Sequence, residues 1–312
     1  MMADVPAEMA YLCPPSLLLR ARAMGRLAVA VAGANAAHVL ESVGWARDFG
    51  LIEPILVGDK DWILRHMAAY ERQLAGVRIV AADDEEDAAR LAVNLVHDGE
   101  AKLLMKGHLH TDVLMRAALQ PEVGLRTGQR LSHVFAMIWP GAPGYLLITD
   151  AALNVAPNPA TMLHIVRHAV RVARVLEMTD PKIAMLSATE ERSAAMASSM
   201  AAGAFADEFQ AEAVALGCAI TGPLALDVAI SKHAAKIKGL QHDSVAGAAN
   251  ILVVPNIETG NALFKMLVHL KHATAMGVVL GASVPIILNS RADPAEAKLA
   301  SIALARLAAE IT

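Results

Sequence analysis

Short apolar runs alternate along this chain with longer stretches that have helical spacing. Residues 26–32 predict a strand, and a helix follows to about residue 49, where Gly50 can end it. Three further strands, each followed by a helical stretch, are predicted at residues 54–57, 77–80 and 103–106. Repeated strand–helix units require a mostly parallel sheet with helices on its faces. The sequence therefore predicts an α/β fold.

The second half continues the alternation around a Pro/Gly-rich turn at residues 139–144. A long helix is predicted at 159–178 and a final helix at about 294–309. Strands are predicted at 132–138, 145–149, 183–187, 219–221, 251–254, 278–280 and 284–288. We expect two α/β lobes, residues 1–135 with 290–312 and residues 136–289, and an active-site cleft between them.

The composition limits the classes of protein to which this chain can belong. Two cysteines in 312 residues cannot form a disulfide framework, which favours a reducing compartment. The longest uncharged runs, residues 133–149 and 273–290, are interrupted by Gly and Pro and do not predict a membrane-spanning helix. The net charge of −4 gives no reason to expect that the chain as a whole binds nucleic acid. We expect a soluble cytoplasmic protein without nucleic-acid or membrane partners.

Several common catalytic motifs are absent. The sequence has no G-x-x-x-x-G-K-[ST] phosphate loop, no G-x-G-x-x-G, no G-x-S-x-G and no H-E-x-x-H. Together these absences disfavour nucleotide-binding, serine-hydrolase and zincin classes.

The first informative segment, residues 105–116, follows a predicted strand and opens a helix. Open α/β sheets bind ligands at this position. Gly107 allows a close turn, Thr111 or Asp112 can cap the helix, and the helix start can bind an anion. Residues 102–133 also hold five Lys/Arg, including Lys106, Arg116 and Arg130, against two acids. This basic island predicts a small-anion site; the alternative is a capped turn with solvated basic side chains.

His108 and His110 support a rival hypothesis. The H-x-H spacing places both imidazoles on one side of a strand end, as in some metal-dependent hydrolases. Such a site needs further ligands, for which His133 and Asp150 are candidates. The alternative is a pair of hydrogen-bonded turn histidines.

The second informative segment is residues 284–296, where an apolar strand ends in polar residues before a helix. Asp293, Pro294 and Glu296 fit the N-cap, N1 and N3 positions of that helix. Ser290 and Arg291 are not needed for the cap. An arginine at a strand's carboxyl end is suited to bind phosphate or an oxyanion, or else pairs with an acid.

At these residues the chain resembles the phosphate acetyltransferase/phosphate butyryltransferase family. The resemblance extends from about Leu104 to Ala309 and includes LMKGHLHTDVLMRAAL (104–119), GLRTGQRLSHVFAM (124–137) and VVLGASVPIILNSRAD (278–293). The segments KGHLHTD and NSRAD are more similar in sequence to the butyryl branch.

The resemblance implies two lobes like those of isocitrate and isopropylmalate dehydrogenases, a homodimer or higher homo-oligomer, and no metal or permanently bound cofactor. It implies the reaction acyl-CoA + phosphate ⇌ acyl phosphate + CoA, with coenzyme A as a substrate. Ser290 and Arg291 match the family's cleft pair, and Arg116 matches an arginine that holds the phosphoryl group. The resemblance and the arguments from the residues themselves together predict the contacts to phosphate or acyl phosphate. These are Lys106, Gly107, His110, Thr111, Arg116 and Arg130.

The general base is less defined. The acetyltransferase branch has a catalytic Asp at the position of Ala297, so Asp293 is the nearest candidate, followed by His110 and His133. Two functional alternatives stay open: a metal-dependent hydrolase using His108 and His110, and an acyl-CoA-binding protein without catalysis.

Overall fold

The computed structural model describes residues 13–290 and 293–310. Its strands are β1 Leu27–Ala32, β2 Ile52–Gly58, β3 Arg78–Ala81, β4 Leu103–Lys106, β5 Ser132–Ile138, β6 Leu146–Thr149, β7 Lys182–Leu186, β8 Ala219–Leu224, β9 Ile251–Val253, β10 Thr274–Leu280 and β11 Ile286–Ile287.

The helices cover most of the stretches between strands. They are α1 Pro15–Ala23, α2 Ala37–Asp48, α3 Lys60–Met67, α4 Glu71–Leu74, α5 Glu85–His97, α6 Thr111–Ala118, α7 Pro159–Val175, α8 Ala197–Ala215, α9 Leu226–Ile230, α10 Lys232–Ile237, α11 Ile257–Lys271 and α12 Ala295–Ala308. Within the described ranges no helix has the length and apolar character needed to cross a membrane.

The chain divides into two compact units. Described residues up to Gln129 and from Thr274 onward form unit 1, and Arg130–Ala273 form unit 2. The boundaries predicted from sequence, after residues 135 and 289, differ from this division. Strands β10 and β11 pair with each other, and β11 pairs with β4, so both belong to unit 1.

Unit 1 contains a sheet in the order β3-β2-β1-β4-β11-β10. Five of these strands run parallel to one another, namely β3, β2, β1, β4 and β11, and β10 runs antiparallel to β11. The chain passes from β1 through α2 to β2 on one side, whereas β4 lies on the other side of β1. This reversal of strand order makes the carboxyl ends of β1 and β4 a topological switch point, where open α/β sheets bind ligands.

Unit 2 contains a sheet in the order β5-β6-β9-β7-β8. Strands β6, β9, β7 and β8 run parallel, and β5 runs antiparallel to β6. Helices pack against the strands in both units, so the predicted α/β class with mostly parallel strands is confirmed.

Helix α12 is the most enclosed helix of unit 1. Every residue from Ala295 to Ala308 is buried except Glu296. The helix packs against α1, α2 and β10, and its many alanines allow this close approach. Because α12 is fixed on several sides, it provides a rigid support for Asp293, which precedes it.

A buried histidine in unit 2 predicts a pH dependence of stability. Ser132 Oγ lies 2.7 Å from His168 Nδ1, and burial lowers the pKa of His168 from 6.5 to about 3, with Arg171 and His164 adding to the effect. As pH falls below 6.5, the unfolded chain binds a proton that the folded chain does not. The free energy of unfolding should therefore decrease by about 1.4 kcal/mol per pH unit toward pH 3 from this group alone.

Urea unfolding at pH 7.5 and pH 5 checks this expectation. The His168→Asn variant can still bond to Ser132 but has no proton to gain, so its stability should change with pH less than that of the native chain, by about 2 kcal/mol over this interval. Equal pH dependence in the two proteins would assign the effect to other groups.

Candidate active site

Lys106 and Gly107, two of the predicted phosphate-binding residues, lie at the carboxyl end of β4. Lys106 is buried, and its Nζ donates a hydrogen bond to the Leu109 carbonyl oxygen at 3.0 Å. A Cβ atom at position 107 would lie 2.3 Å from the carbonyl oxygen of Gly33, which follows β1. The packing of the β1 and β4 turns therefore requires a glycine at this position, whatever the turn binds.

Helix α6 begins at Thr111, but the predicted cap by Thr111 or Asp112 is wrong. The N-cap residue is His110, and its side chain does not bond to the helix. Its N–H donates to Glu85 Oε2 at 2.9 Å, and its Nδ1 lies 2.7 Å from the same oxygen. An acid from α5 thus holds the start of α6.

Arg116 lies on the exposed face of α6. Its guanidinium is 3.2 Å from Asp112 and 4.0 Å from Glu86, and 65% of its side chain is exposed. The predicted basic island is therefore less positive than residues 102–133 indicate, because Glu85 and Glu86 lie beside it. Exposed ion pairs of this kind are weak, so an anion can displace the acids from Arg116.

Four basic side chains lie close together near the switch point of unit 1. The rings of His38 and His108 have centroids 6.2 Å apart. Burial lowers the pKa of His38, and the charges of Lys298, His108 and Lys106 lower it further. His38 Nε2 is buried and has no hydrogen-bond partner among the described residues. No sequence pattern predicts this cluster, because its members come from α2, β4, the next turn and α12.

The turn that carries Ser290 is closed by Asp293. Asp293 Oδ2 accepts hydrogen bonds from the Ser290 N–H at 2.8 Å and from Asn289 Nδ2 at 3.3 Å. The Asp293 N–H donates to the Ser290 carbonyl oxygen at 3.2 Å. Ser290 is exposed, and Arg291 lies outside the described residues.

The predicted capping role of Asp293 is wrong. Pro294 is the N-cap residue, no side chain caps α12, and the helix starts at Ala295. The carboxylate of Asp293 instead bonds backward to residue 290, three positions earlier. Its structural role is to fix the turn that presents Ser290.

A buried network joins this turn to α12 and β10. Ser301 Oγ accepts hydrogen bonds from Asn289 Nδ2 at 2.9 Å and from the Gly277 N–H at 3.0 Å, and it donates to the Ala297 carbonyl oxygen. Lys298 Nζ donates to the Asp293 carbonyl oxygen. Each neighbour of Asn289 Nδ2 is an acceptor, so the orientation of the amide is fixed. Asn289 Oδ1 is then left buried, without a donor among the described residues.

Position 297 cannot easily present a catalytic carboxylate. Ala297 is only 4% exposed, because α12 turns it toward the interior of unit 1. The side chain of its neighbour Glu296 is half-buried and has no hydrogen bond to a described residue. The pKa of Glu41 is raised by burial and then by the charge of Glu296, so these two carboxyl groups lie near each other. Sequence reasoning treated Glu296 only as part of a cap.

The remaining predicted residues belong to unit 2. Arg130 is exposed at the start of this unit. His133 is fully buried, with its ring 4.1 Å from that of Phe135. Asp150 accepts hydrogen bonds on both carboxylate oxygens from the backbone N–H groups of residues 133, 152 and 153 and from Asn154 Nδ2. His133 and Asp150 thus have structural roles in unit 2.

The proposed metal ligands are not grouped. His108 faces His38, whereas His110 bonds to Glu85. In residues 13–290 and 293–310, no three His, Cys, Asp or Glu side chains are arranged to hold a metal ion. The described part of the chain therefore gives no support to a metal-dependent hydrolase using His108 and His110.

Comparison with known proteins decides the family. The family model described as Phosphate acetyl/butaryl transferase matches residues 81–306. The chain belongs to this family. It is 44% identical to a phosphate acetyltransferase of Rhizobium meliloti, over 84% of this chain and 82% of the relative. It is 38% identical to a phosphate butyryltransferase of Clostridium acetobutylicum, over 94% and 97% of the two chains.

Solved structures agree with this assignment. The crystal structure of a branched-chain phosphotransacylase from Enterococcus faecalis superposes with a TM-score of 0.77 and 33% sequence identity, covering 91% of this chain and 99% of that one. The region matched by the phosphate acetyl/butyryl transferase family model includes Lys106, His110, Arg116, Ser290 and Asp293.

Proposed function

We propose that this chain transfers a short acyl group, acetyl or butyryl, between coenzyme A and inorganic phosphate. The observation that carries the proposal is the match to family members over most of both chains, including relatives named for acetyl and for butyryl transfer. The fixed turn at Ser290 supports it, because that turn lies in the matched region.

The proposed reaction is a direct transfer. A phosphate oxygen attacks the thioester carbonyl carbon and forms a C–O bond, the carbonyl oxygen becomes an oxyanion, and collapse breaks the C–S bond to release CoA thiolate. Ser290 and Arg291 donate hydrogen bonds to the oxyanion, each contributing about 3 kcal/mol. Ser290 acts as a donor and not as a nucleophile. The bonds from Asp293 hold its backbone in place before the substrate binds.

Phosphate is held by positive charge at the carboxyl ends of β1 and β4. Lys106, His110, Thr111 and Arg116 are the proposed contacts, and Gly107 shapes the turn. Arg130, at the start of unit 2, stays a phosphate contact predicted from the sequence. An anion in this region would offset the charges that lower the pKa of His38. Holding phosphate in line with the carbonyl carbon is mainly a positioning effect.

A carboxylate accepts the thiol proton when CoA is the attacking group. Asp293 and Glu296 both lie between Ser290 and the first turn of α12. His133 is enclosed in unit 2, and His110 is bonded to Glu85, so neither is our first choice.

A direct assay tests the function. The purified chain is mixed with acetyl-CoA or butyryl-CoA, and free thiol is measured with and without phosphate, while acyl phosphate is trapped with hydroxylamine. Phosphate-dependent thiol release with equal acyl hydroxamate is the expected result. CoA binding without release would support a non-catalytic binding protein, and phosphate-independent release would indicate a hydrolase.

We also propose a homodimer or a higher homo-oligomer in the cytoplasm, acting without a permanent cofactor. Helix α11 supports the assembly, because Leu270 and Met266 are 73% and 44% exposed on it. Cys13 and Cys218 are free thiols, and free thiols are what a reducing compartment maintains. Sedimentation equilibrium showing the mass of one chain would contradict the oligomer.

A further inference from the structure

Lys298 carries a buried ammonium group to which the proposed mechanism gives no role. It is the fourth residue of α12, and only 2% of it is exposed. Its Nζ donates a hydrogen bond to the Asp293 carbonyl oxygen, and this is its single hydrogen bond to a described residue. An ammonium has three N–H donors. Two of them therefore have no acceptor in the described part of the chain.

The surroundings of Lys298 make its charge unfavourable for folding. The start of a helix is its positive end, and Lys298 lies in the first turn of α12. The charges of Lys298 and of the buried Lys106 both act on His38, so two ammonium groups are enclosed in one region. Burial lowers the pKa of Lys298, although Asp293 and Glu296 oppose part of this shift. The folded chain therefore holds this proton less well than the unfolded chain does.

The bond from Lys298 is one end of a series of contacts that leads to Ser290. Lys298 holds the carbonyl oxygen of Asp293. The Asp293 carboxylate accepts the Ser290 N–H at 2.8 Å, and the Asp293 N–H donates to the Ser290 carbonyl oxygen at 3.2 Å. All three residues belong to unit 1. Lys298 therefore connects the backbone of Ser290 to α12 through Asp293.

Ser301 connects the other side of the same turn to α12. Its Oγ accepts a hydrogen bond from Asn289 Nδ2 at 2.9 Å, and Asn289 directly precedes Ser290. Lys298 and Ser301 are three residues apart, so they lie on one face of the helix. The turn is thus attached to this face before Ser290 through Ser301 and after it through Lys298.

We propose that Lys298 is a positioning residue that holds the Ser290 turn where Ser290 can donate to the oxyanion. The assignment rests on the proposed function, which gives Ser290 its role. Donors to an oxyanion are effective because they are in place before the charge develops. A rigid attachment of the turn provides this, whereas folding alone gains little from a buried ammonium with one hydrogen bond. Lys298 itself contacts no reacting atom.

The main test is Lys298→Met, which removes the ammonium and keeps a side chain of similar size. A misplacement of 1 Å can lower a rate about 10²-fold, so kcat with butyryl-CoA should fall by about tenfold to 10²-fold. The KM for phosphate should not change, because no contact to phosphate is removed. The Tm should not fall, because replacing a buried charge with an apolar side chain of similar volume is often neutral or stabilising.

Hydrogen–deuterium exchange measures the turn independently of activity. Peptides that contain Ser290 should exchange faster in Lys298→Met than in the native chain, whereas peptides from residues 299–308 should exchange at the native rate. Lys298→Gln keeps an N–H donor without the charge, so it should recover part of the protection at Ser290 and part of kcat. Lys60→Met is the control, because it removes an exposed lysine of α3 with no proposed role. It should match the native chain in every measurement.

Three results for Lys298→Met would contradict the assignment. A raised KM for phosphate with native exchange at Ser290 would make Lys298 a phosphate contact instead. Native kcat with native exchange would remove the residue from the reaction. A lower Tm with faster exchange throughout α12 would make its role purely structural. Absence of phosphate-dependent thiol release by the native chain would refute the proposed function, while exchange at Ser290 would still report whether Lys298 holds the turn.

Discussion

Replacing Arg291 with alanine is expected to lower the rate of phosphate-dependent CoA release by about 10²- to 10³-fold, as removal of one oxyanion donor does in other enzymes. Arg291 directly follows Ser290, whose backbone is fixed by two hydrogen bonds with Asp293. In the proposed mechanism, a guanidinium at this position offers a planar set of N–H donors to the oxyanion and to phosphate. The measurement is kcat/KM with butyryl-CoA, and circular dichroism checks that the variant is folded.

Two further variants show whether a loss of activity in Arg291→Ala is specific to that guanidinium. Arg90→Ala removes an exposed arginine of α5 that pairs with Asp87 and has no proposed role in the reaction, and activity should be unchanged. Arg291→Lys keeps the charge but loses the planar donor geometry, so it should recover only part of the activity. Full activity in Arg291→Ala would remove the Ser290–Arg291 pair from the mechanism.

The strands could be predicted because they are short apolar runs bounded by polar or Gly/Pro residues. The predictions at residues 103–106 and 132–138 match β4 and β5 at both ends. Strand β10 begins at Thr274, four residues before the predicted start. The prediction missed Thr274–Gly277 because these residues contain no run of β-branched side chains. The antiparallel direction of β5 and β10 could not be predicted, because a strand's pattern of side chains does not encode the direction of its neighbour.

The location of the candidate site could be predicted from position in a βα unit, whereas its contacts between residues distant in sequence could not. The turns after β4 and β11 were identified because polar residues follow buried strands. The pairing of Glu85 with His110 and the approach of Lys298 to His38 arise from packing, which no local pattern reports. The error at Asp293 has the same origin, because a carboxylate before a helix can bond forward to the helix or backward to the turn.

The proton acceptor can be found by comparing Asp293→Asn with Glu296→Gln. Each change removes a carboxylate with little change of shape. Asn at position 293 can still accept the Ser290 N–H, although its amide then opposes Asn289 Nδ2. Glu296 has no hydrogen bond to lose among the described residues. A variant that loses the base should show a decrease of about 10²- to 10⁴-fold in CoA acylation by butyryl phosphate.

We expect the larger loss in Glu296→Gln and a loss of at most about tenfold in Asp293→Asn. One oxygen of Asp293 already receives two N–H donors and is thereby engaged in holding the turn. Asp293→Ala separates positioning from proton transfer: if Asp293 only holds the turn, Ala should be much less active than Asn, since it cannot bond to the Ser290 N–H. Equal losses in Asp293→Asn and Asp293→Ala, with Glu296→Gln fully active, would instead assign proton transfer to Asp293.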